Sequence, residues 1–144
     1  PWGAPEPRVP PPADTEATVQ LWQACGLTRP WNDPYQDIDR KLQVQPELFL
    51  VGTDANGTVM ASIMIGYEGH RGWINYLAVH PSLQRQGHAR RLVQLAEQML
   101  TARGCPKLNL QVRAGNDAVL AFYASLGYVH DHSVCLGKRL IADT

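Results

Sequence analysis

Charge is sparse in this sequence and what there is cancels, with 13 Lys and Arg against 13 Asp and Glu in 144 residues. A neutral chain lacks the positive field on which non-specific nucleic-acid binding rests, so no nucleic-acid partner is expected. Cysteine is scarce too. Cys25, Cys105 and Cys135 lie far apart, are odd in number and form no C-x-x-C, which excludes a disulfide framework and a zinc knuckle and fits a reducing cytoplasm. No apolar run approaches the ~20 residues that span a bilayer, so no membrane partner is expected either. Internal repeats are missing, and a chain of this length buries one core rather than two.

Proline is plentiful in one place. "PWGAPEPRVPPP" holds most of the chain's prolines, with neither the basic start nor the apolar centre of a signal peptide. Residues 1–12 therefore read as an extended proline-rich leader, and 13–144 as a single domain.

Within the domain, Asp14 and Thr15 offer caps for a helix through Val19, Leu21, Trp22 and Ala24, ended by Gly26. Asp33 before Pro34 starts a second helix over about 34–43. "ELFLVG" and "TVMASIMIGY" flank "TDANG", whose Asn56-Gly57 pair suits the left-handed dihedrals of a tight hairpin. "WINYLAVH" is a β-branched and aromatic run that reads as a central strand ending at Pro81. Leu92, Leu95, Ala96, Met99 and Leu100 recur at helical spacing from His88 to Arg103, and Gly104 closes that helix. "KLNLQVR" alternates as a strand, "GNDAVLAFYASLGY" is a fourth helix, and "YVHDHSVCLGKRL" reads as a closing hairpin. Helices between strands give a mixed α/β class.

The junction "HPSLQRQGHARRL" carries the first chemical signal. A strand enters and a helix leaves, so the amides from about Arg85 to Arg90 lack partners inside the helix. Their dipoles concentrate positive charge there, Arg85, Arg90 and Arg91 add more, and a phosphate answers that arrangement. Gly87 and Ala89 leave the backbone open to approach. Neither G-x-x-x-x-G-K-[ST] nor G-x-G-x-x-G occurs. Asn116 and Tyr123, seven residues apart, share one helix face roughly 10 Å long, along which a ligand arm could lie.

These residues give the chain its resemblance. Gln84-x-x-Gly87-x-Ala89 is similar to the pyrophosphate motif Q/R-x-x-G-x-G/A of the GNAT superfamily of acyl-CoA N-acetyltransferases, and "YLAVHPSLQRQGHARRLV" resembles its usual setting. "GNDAVLAFYASLGY" resembles the family's N-x-x-A-x-x-F-Y-x-x-L-G-F, with Ala118 two rather than three residues after Asn116. "CGLTRPWNDP", "ARGCPK" and "LGKRLI" look most like small bacterial acetyltransferases of the YpeA type. The resemblance implies a GNAT-like, mostly antiparallel sheet of about six to seven strands with about four helices. It also implies acetyl-CoA as co-substrate, no metal, and an amine acceptor that is a small molecule or a protein. Oligomeric state is left as monomer or homodimer.

On that resemblance, Gln84, Arg85, Gln86, Gly87, His88, Ala89 and Arg90 hold the pyrophosphate. Amides of Leu77 and Val79 bind the pantetheine as an added strand, and Asn116 holds its amide. Tyr123 is the general acid toward the departing thiolate. A lysine-like amine is almost wholly protonated at neutral pH, so Glu68 and His70 are candidate bases. The acceptor is expected near "LTRPWNDPYQ", on Trp31 and Asp33, where Asp37 and Asp39 add charge that would favour a cation. Asp37 also reads as the (i, i+4) partner of Lys41.

His130 and His132 share one strand face and offer only two metal ligands. Cys105 lacks the basic partner an acyl-enzyme would need. Glu97, Arg71, Lys138 and Arg139 read as surface charges. Two other functions compete with the enzyme. One is a non-catalytic acyl-CoA-binding sensor or scaffold; the other, disfavoured by neutral charge, is a nucleic-acid domain using "QRQGHARR".

Overall fold

In a computed structural model, residues 6–144 are described, so the first five residues of the leader lie outside the described residues. Four helices and four strands follow in the order α1 (Thr15–Ala24), α2 (Pro34–Lys41), β1 (Phe49–Thr53), β2 (Val59–Tyr67), β3 (Gly72–Val79), α3 (His88–Ala102), β4 (Leu108–Leu110) and α4 (Asp117–Ser125). The strands lie side by side in that order. β1–β2 and β2–β3 are antiparallel, and β3–β4 is parallel because α3 supplies the crossover.

The sheet separates two cores. On one face Ile63, Ile65, Ile74 and Val79 pack with Leu92, Val93, Ala96 and Leu100 of α3 and with Tyr123 of α4. On the other, Phe49, Val51, Val59 and Ala78 pack with Val19, Leu21 and Trp22 of α1 and with Ile38 of α2. β1 is buried at all five positions because its alternate side chains enter the two cores.

Local sequence accounts for the ends. Asp33 caps α2 by accepting from the Tyr35 amide at 2.9 Å. The hairpin turn differs from its expectation: Gly57 alone is left-handed, and Asp54 Oδ1 accepts the amides of Asn56 and Thr58. The side chain thus does the work that a second left-handed residue would have done. β1 begins too late to pair all of β2, and two side chains take over. Gln45 exchanges both amide hydrogen bonds with the Tyr67 backbone, at 2.8 and 3.0 Å, and Lys41 Nζ donates to Ile65 O. Lys41 is therefore not the partner of Asp37.

The sheet has four strands rather than six to seven. "KLNLQVR" keeps its alternation, with Leu108, Leu110 and Val112 against the core, but pairs only over Leu108–Leu110. The closing hairpin is absent. His132 has φ +55°, a left-handed turn that interrupts extended backbone. Its neighbour Asp131 binds Lys107 and Asn109 through its side chain, which leaves backbone groups off the ladder. Val129, Val134, Leu136 and Leu140 are each at least 85% exposed. Glu97 does not simply face water, since its Oε2 accepts from Tyr128 Oη at 2.7 Å.

One irregularity in β3 positions everything that follows. The β2–β3 register shifts between Ser62 and Met64, and opposite that shift Tyr76 adopts φ +50°. Such a bulge frees a carbonyl, here that of Tyr76. Ser62 Oγ donates to it at 2.8 Å and accepts from Trp22 Nε1 at 2.8 Å, while the Trp22 and Tyr76 rings stack at 3.7 Å. Replacing Ser62 with Ala orphans a fully buried indole N–H and the bulge carbonyl together. Since each orphan costs about 1–3 kcal/mol, the expected loss is on the order of 2–6 kcal/mol in urea unfolding; a loss below ~0.5 kcal/mol would contradict this account of the bulge.

Candidate functional site

The bulge changes which way β3 points its amides. Before it, the Gly72 amide donates to Lys107 O on the β4 side. After it, the His80 amide donates to Met60 O on the β2 side. By strand alternation Ala78 also faces β2, so the amides of Leu77 and Val79 face the other edge. Along that edge β4 has stopped pairing, its last partnered residue being Leu110 opposite Ile74. The two parallel strands splay, and the opening is a cleft of about 1420 Å³.

At one end of the cleft lies the start of α3. Gly87 is its N-cap with φ +86°, no side chain caps it, and the first helical bond runs from the Arg91 amide to Gly87 O. The amides of Ala89 and Arg90, ahead of that bond, are left for an external acceptor. A Cβ on Gly87 would meet nothing within 4 Å. Glycine is required there by the left-handed backbone, and the space above it is open. Gln84 Nε2 donates to Val79 O at 3.0 Å and ties the loop to the end of β3. Arg85 and Arg90 line the cleft, whereas Arg91 is paired with Glu6 at 2.7 Å.

Along the wall opposite β3 runs α4. Asn116 caps it through Oδ1, accepting from the Val119 amide at 3.3 Å, and also lines the cleft. Tyr123 is 8% exposed, in edge contact with Phe122 and Tyr128 at ring separations of 5.0 and 5.5 Å. Its hydroxyl has no hydrogen-bond partner among the described residues, and burial pushes the phenol up to about 12. It is held protonated at the cleft wall.

Toward α1 and α2 the cleft is polar. Trp31 sits 56% exposed on the tight turn made by the Arg29–Asn32 bridge, and the Arg113 guanidinium lies 5.8 Å over its ring. Asp37 Oδ2 accepts from Tyr76 Oη at 2.7 Å and from Asn32 Nδ2, and burial together with that carboxylate raises the Tyr76 phenol. Cys25 Sγ donates to Val79 O at 3.3 Å, and burial pushes its thiol up.

Thus Leu77, Val79, Gln84, Arg85, Gly87, His88, Ala89, Arg90, Asn116, Tyr123 and Trp31 share one cleft. Four expected residues stand apart. Gln86 is exposed outside it. Asp33 spends its carboxylate on the Tyr35 amide and the Gln36 side chain. Glu68 and His70 lie beyond the Gly72 end of β3, five residues and therefore roughly 16 Å short of Leu77. Glu68 accepts the amides of His70 and Arg71, which closes its own loop. Among the described residues, no group of three or more His, Cys, Asp or Glu is placed to hold a metal ion. No described helix is long and apolar enough to cross a membrane.

Tyr76 and Arg113 are not among the expected site residues, whereas Arg29 and Asn32 fall within "LTRPWNDPYQ", the segment expected near the acceptor. Trp31 in a proline-bounded turn was the available signal for its two neighbours. Tyr76 depends on the bulge, which no local pattern announces.

Residues 16–128 match the sequence model of the acetyltransferase (GNAT) family. An acetyltransferase of Yersinia pestis (strain Pestoides F) is 52% identical over 130 residues, covering 90% of this chain and 92% of that protein. The crystal structure of Ard1 from Thermoplasma volcanium superposes with a TM-score of 0.75 at 26% identity, covering 85% of this chain and 81% of that one. A structure of the NatC complex bound to Gag peptide and CoA contains a chain with the same fold, with a TM-score of 0.69 at 22% identity and coverage of 81% and 77%.

Proposed function

The chain belongs to the GNAT acetyltransferase family, and from that premise we propose that it moves the acetyl group of acetyl-CoA to a primary amine by direct attack in a ternary complex. The observation that carries this reading is one cleft in which three unsatisfied sets of groups meet: the uncapped α3 terminus, the open edge of β3 and the Tyr123 hydroxyl. Each set matches a different part of a thioester coenzyme.

The pyrophosphate would rest on the amides of Ala89 and Arg90, with Arg85 and Arg90 as flanking charges. The pantetheine would add to the β3 edge at Leu77 and Val79, and the Asn116 side-chain nitrogen, not needed for its cap, is free to meet a pantetheine carbonyl. A bulge amide beside the thioester carbonyl would stabilise the oxyanion that forms on attack.

Tyr123 is assigned the proton delivered to the leaving sulfur. A phenol at about 12 is a weaker acid than a thiol near ~8.5, so full transfer ahead of bond cleavage is uphill. The hydroxyl acts instead as a protonated hydrogen-bond donor that yields its proton only as the C–S bond breaks and negative charge reaches the sulfur. Glu68 and His70 lie too far along β3 to serve as base, so deprotonation of the amine is left to the polar side of the cleft, where Asp37 is the carboxylate in the lining.

Gly87→Val introduces a β-branched side chain at φ +86° and fills the open space above the α3 amides. Calorimetry should show acetyl-CoA affinity at least tenfold below wild type, and equal affinity would remove the junction from coenzyme binding. Tyr123→Phe removes one oxygen without disturbing the ring contacts. Its acetyl-CoA affinity should stay within about twofold while kcat falls ~10²–10⁴-fold; an unchanged kcat would take Tyr123 out of the chemistry.

A further inference from the structure

We propose that the acceptor presents its amine together with a nearby carboxylate, which the guanidiniums of Arg29 and Arg113 receive. The inference rests on the acetyl-transfer reading and deepens it by naming the acceptor's chemical class. It reverses the cationic acceptor that the sequence suggests around Trp31.

Away from the phosphate end, the charged side chains lining the cleft are Arg29, Arg40, Lys41 and Arg113 against one carboxylate, Asp37. Asp33 and Asp39 do not line it. Asp37 is already committed to Tyr76 and Asn32, and Arg40 reaches it at 3.4 Å. Two of the cations are spent inside the protein. Arg40 is paired with Asp143 at 2.7 Å, and Lys41 is buried with its ammonium on Ile65 O.

Arg29 and Arg113 have no carboxylate partner among the described residues. Arg29 donates through Nη1 alone, to Gly26 O at 2.9 Å and Thr28 O at 2.7 Å. A guanidinium offers five N–H donors in a planar fork, so most of its capacity is unspent. Arg113 is 5.8 Å over the Trp31 ring, and the Arg29–Asn32 bridge puts Trp31 and Arg29 on the same turn. Two guanidiniums without a carboxylate partner among the described residues thus line the polar side of the cleft, one of them over the Trp31 ring. That face of Trp31 is already occupied by a cation, which excludes a second cation from it. The fork geometry matches a carboxylate in two parallel hydrogen bonds. Asp37 Oδ1, which among the described residues meets only Arg40 at 3.4 Å, provides an oxygen for the amine on the same side of the cleft.

A carboxylate beside a primary amine can come from a free α-amino acid or from a peptide whose amino terminus is followed by an acidic residue. Acetyl-CoA turnover, followed as thiol release, separates the two sources with matched sets. One set pairs α-amino acids with their carboxamides. The other pairs tetrapeptides having Asp or Glu at the second position with the same peptides having Asn or Gln. In one set the acids should exceed their neutral isosteres at least tenfold in kcat/KM. Arg113→Gln and Arg29→Gln should each raise acceptor KM at least tenfold with acetyl-CoA KM within about twofold; Arg113→Gln alone decides if Arg29→Gln melts early. Neutral isosteres that match the acids in both sets would overturn the proposal. So would failure of every acid to turn over while wild type binds acetyl-CoA by calorimetry, or variants that raise acetyl-CoA KM instead, since the guanidiniums would then belong to the coenzyme. Absence of acetyl-CoA binding to wild type would mark the failure of the acetyl-transfer reading itself.

Discussion

The Tyr76 carbonyl has no place in the sheet ladder, and Ser62 Oγ, itself anchored by the Trp22 indole, gives it one. Without that hydrogen-bond chain the bulge would leave polar groups unpaired in the interior, and β3 would have every reason to run straight. With it, the strand slips by one residue. The Leu77 and Val79 amides turn toward the edge where β4 has stopped pairing, and the Tyr76 ring crosses to the α1 side, where its hydroxyl meets Asp37. The open edge of β3 and the polar side of the cleft thus arise from one backbone irregularity, held by a buried three-residue relay.

Charge is distributed along the cleft in a sequence that suits two substrates. At the α3 end, amide dipoles reinforce Arg85 and Arg90, and among the described residues no carboxylate lines the cleft there to offset them. In the middle, Tyr123 and the apolar residues around it keep a neutral hydroxyl close to the place where sulfur would gain charge. On the α1–α2 side the single carboxylate Asp37 is outnumbered by guanidiniums. Opposite ends of a neutral protein therefore carry local fields that the net charge conceals.

Much of this was legible because it is written in short-range chemistry. The α3 terminus needed only a strand-like run, a glycine and a helical repeat; Asp33 and Asn116 are caps whose side chains bond two or three residues ahead. The family motifs lie in the same segments. What escaped depends on partners far along the chain. Asp37 was paired on paper with Lys41, yet Tyr76, 39 residues away, takes it, and Lys41 closes a ladder left open by β1. Glu68 looked free beside the central strand, but its loop folds back on its own carboxylate. The closing hairpin had the right residue types, and a left-handed His132 with an Asp131 side chain turned toward Lys107 and Asn109 kept it out of the sheet.

The central claim is that the bulge aims the Leu77 and Val79 amides at the same ligand that the α3 amides hold. Titrating acetyl-CoA into uniformly ¹⁵N-labelled protein measures this at each N–H. The account predicts that the amides of Leu77, Val79, Ala89 and Arg90 shift with one dissociation constant and gain protection from hydrogen exchange, while that of Ala78, turned toward β2, changes little. Shifts confined to Ala89 and Arg90, with Leu77 and Val79 unmoved at saturation, would contradict it.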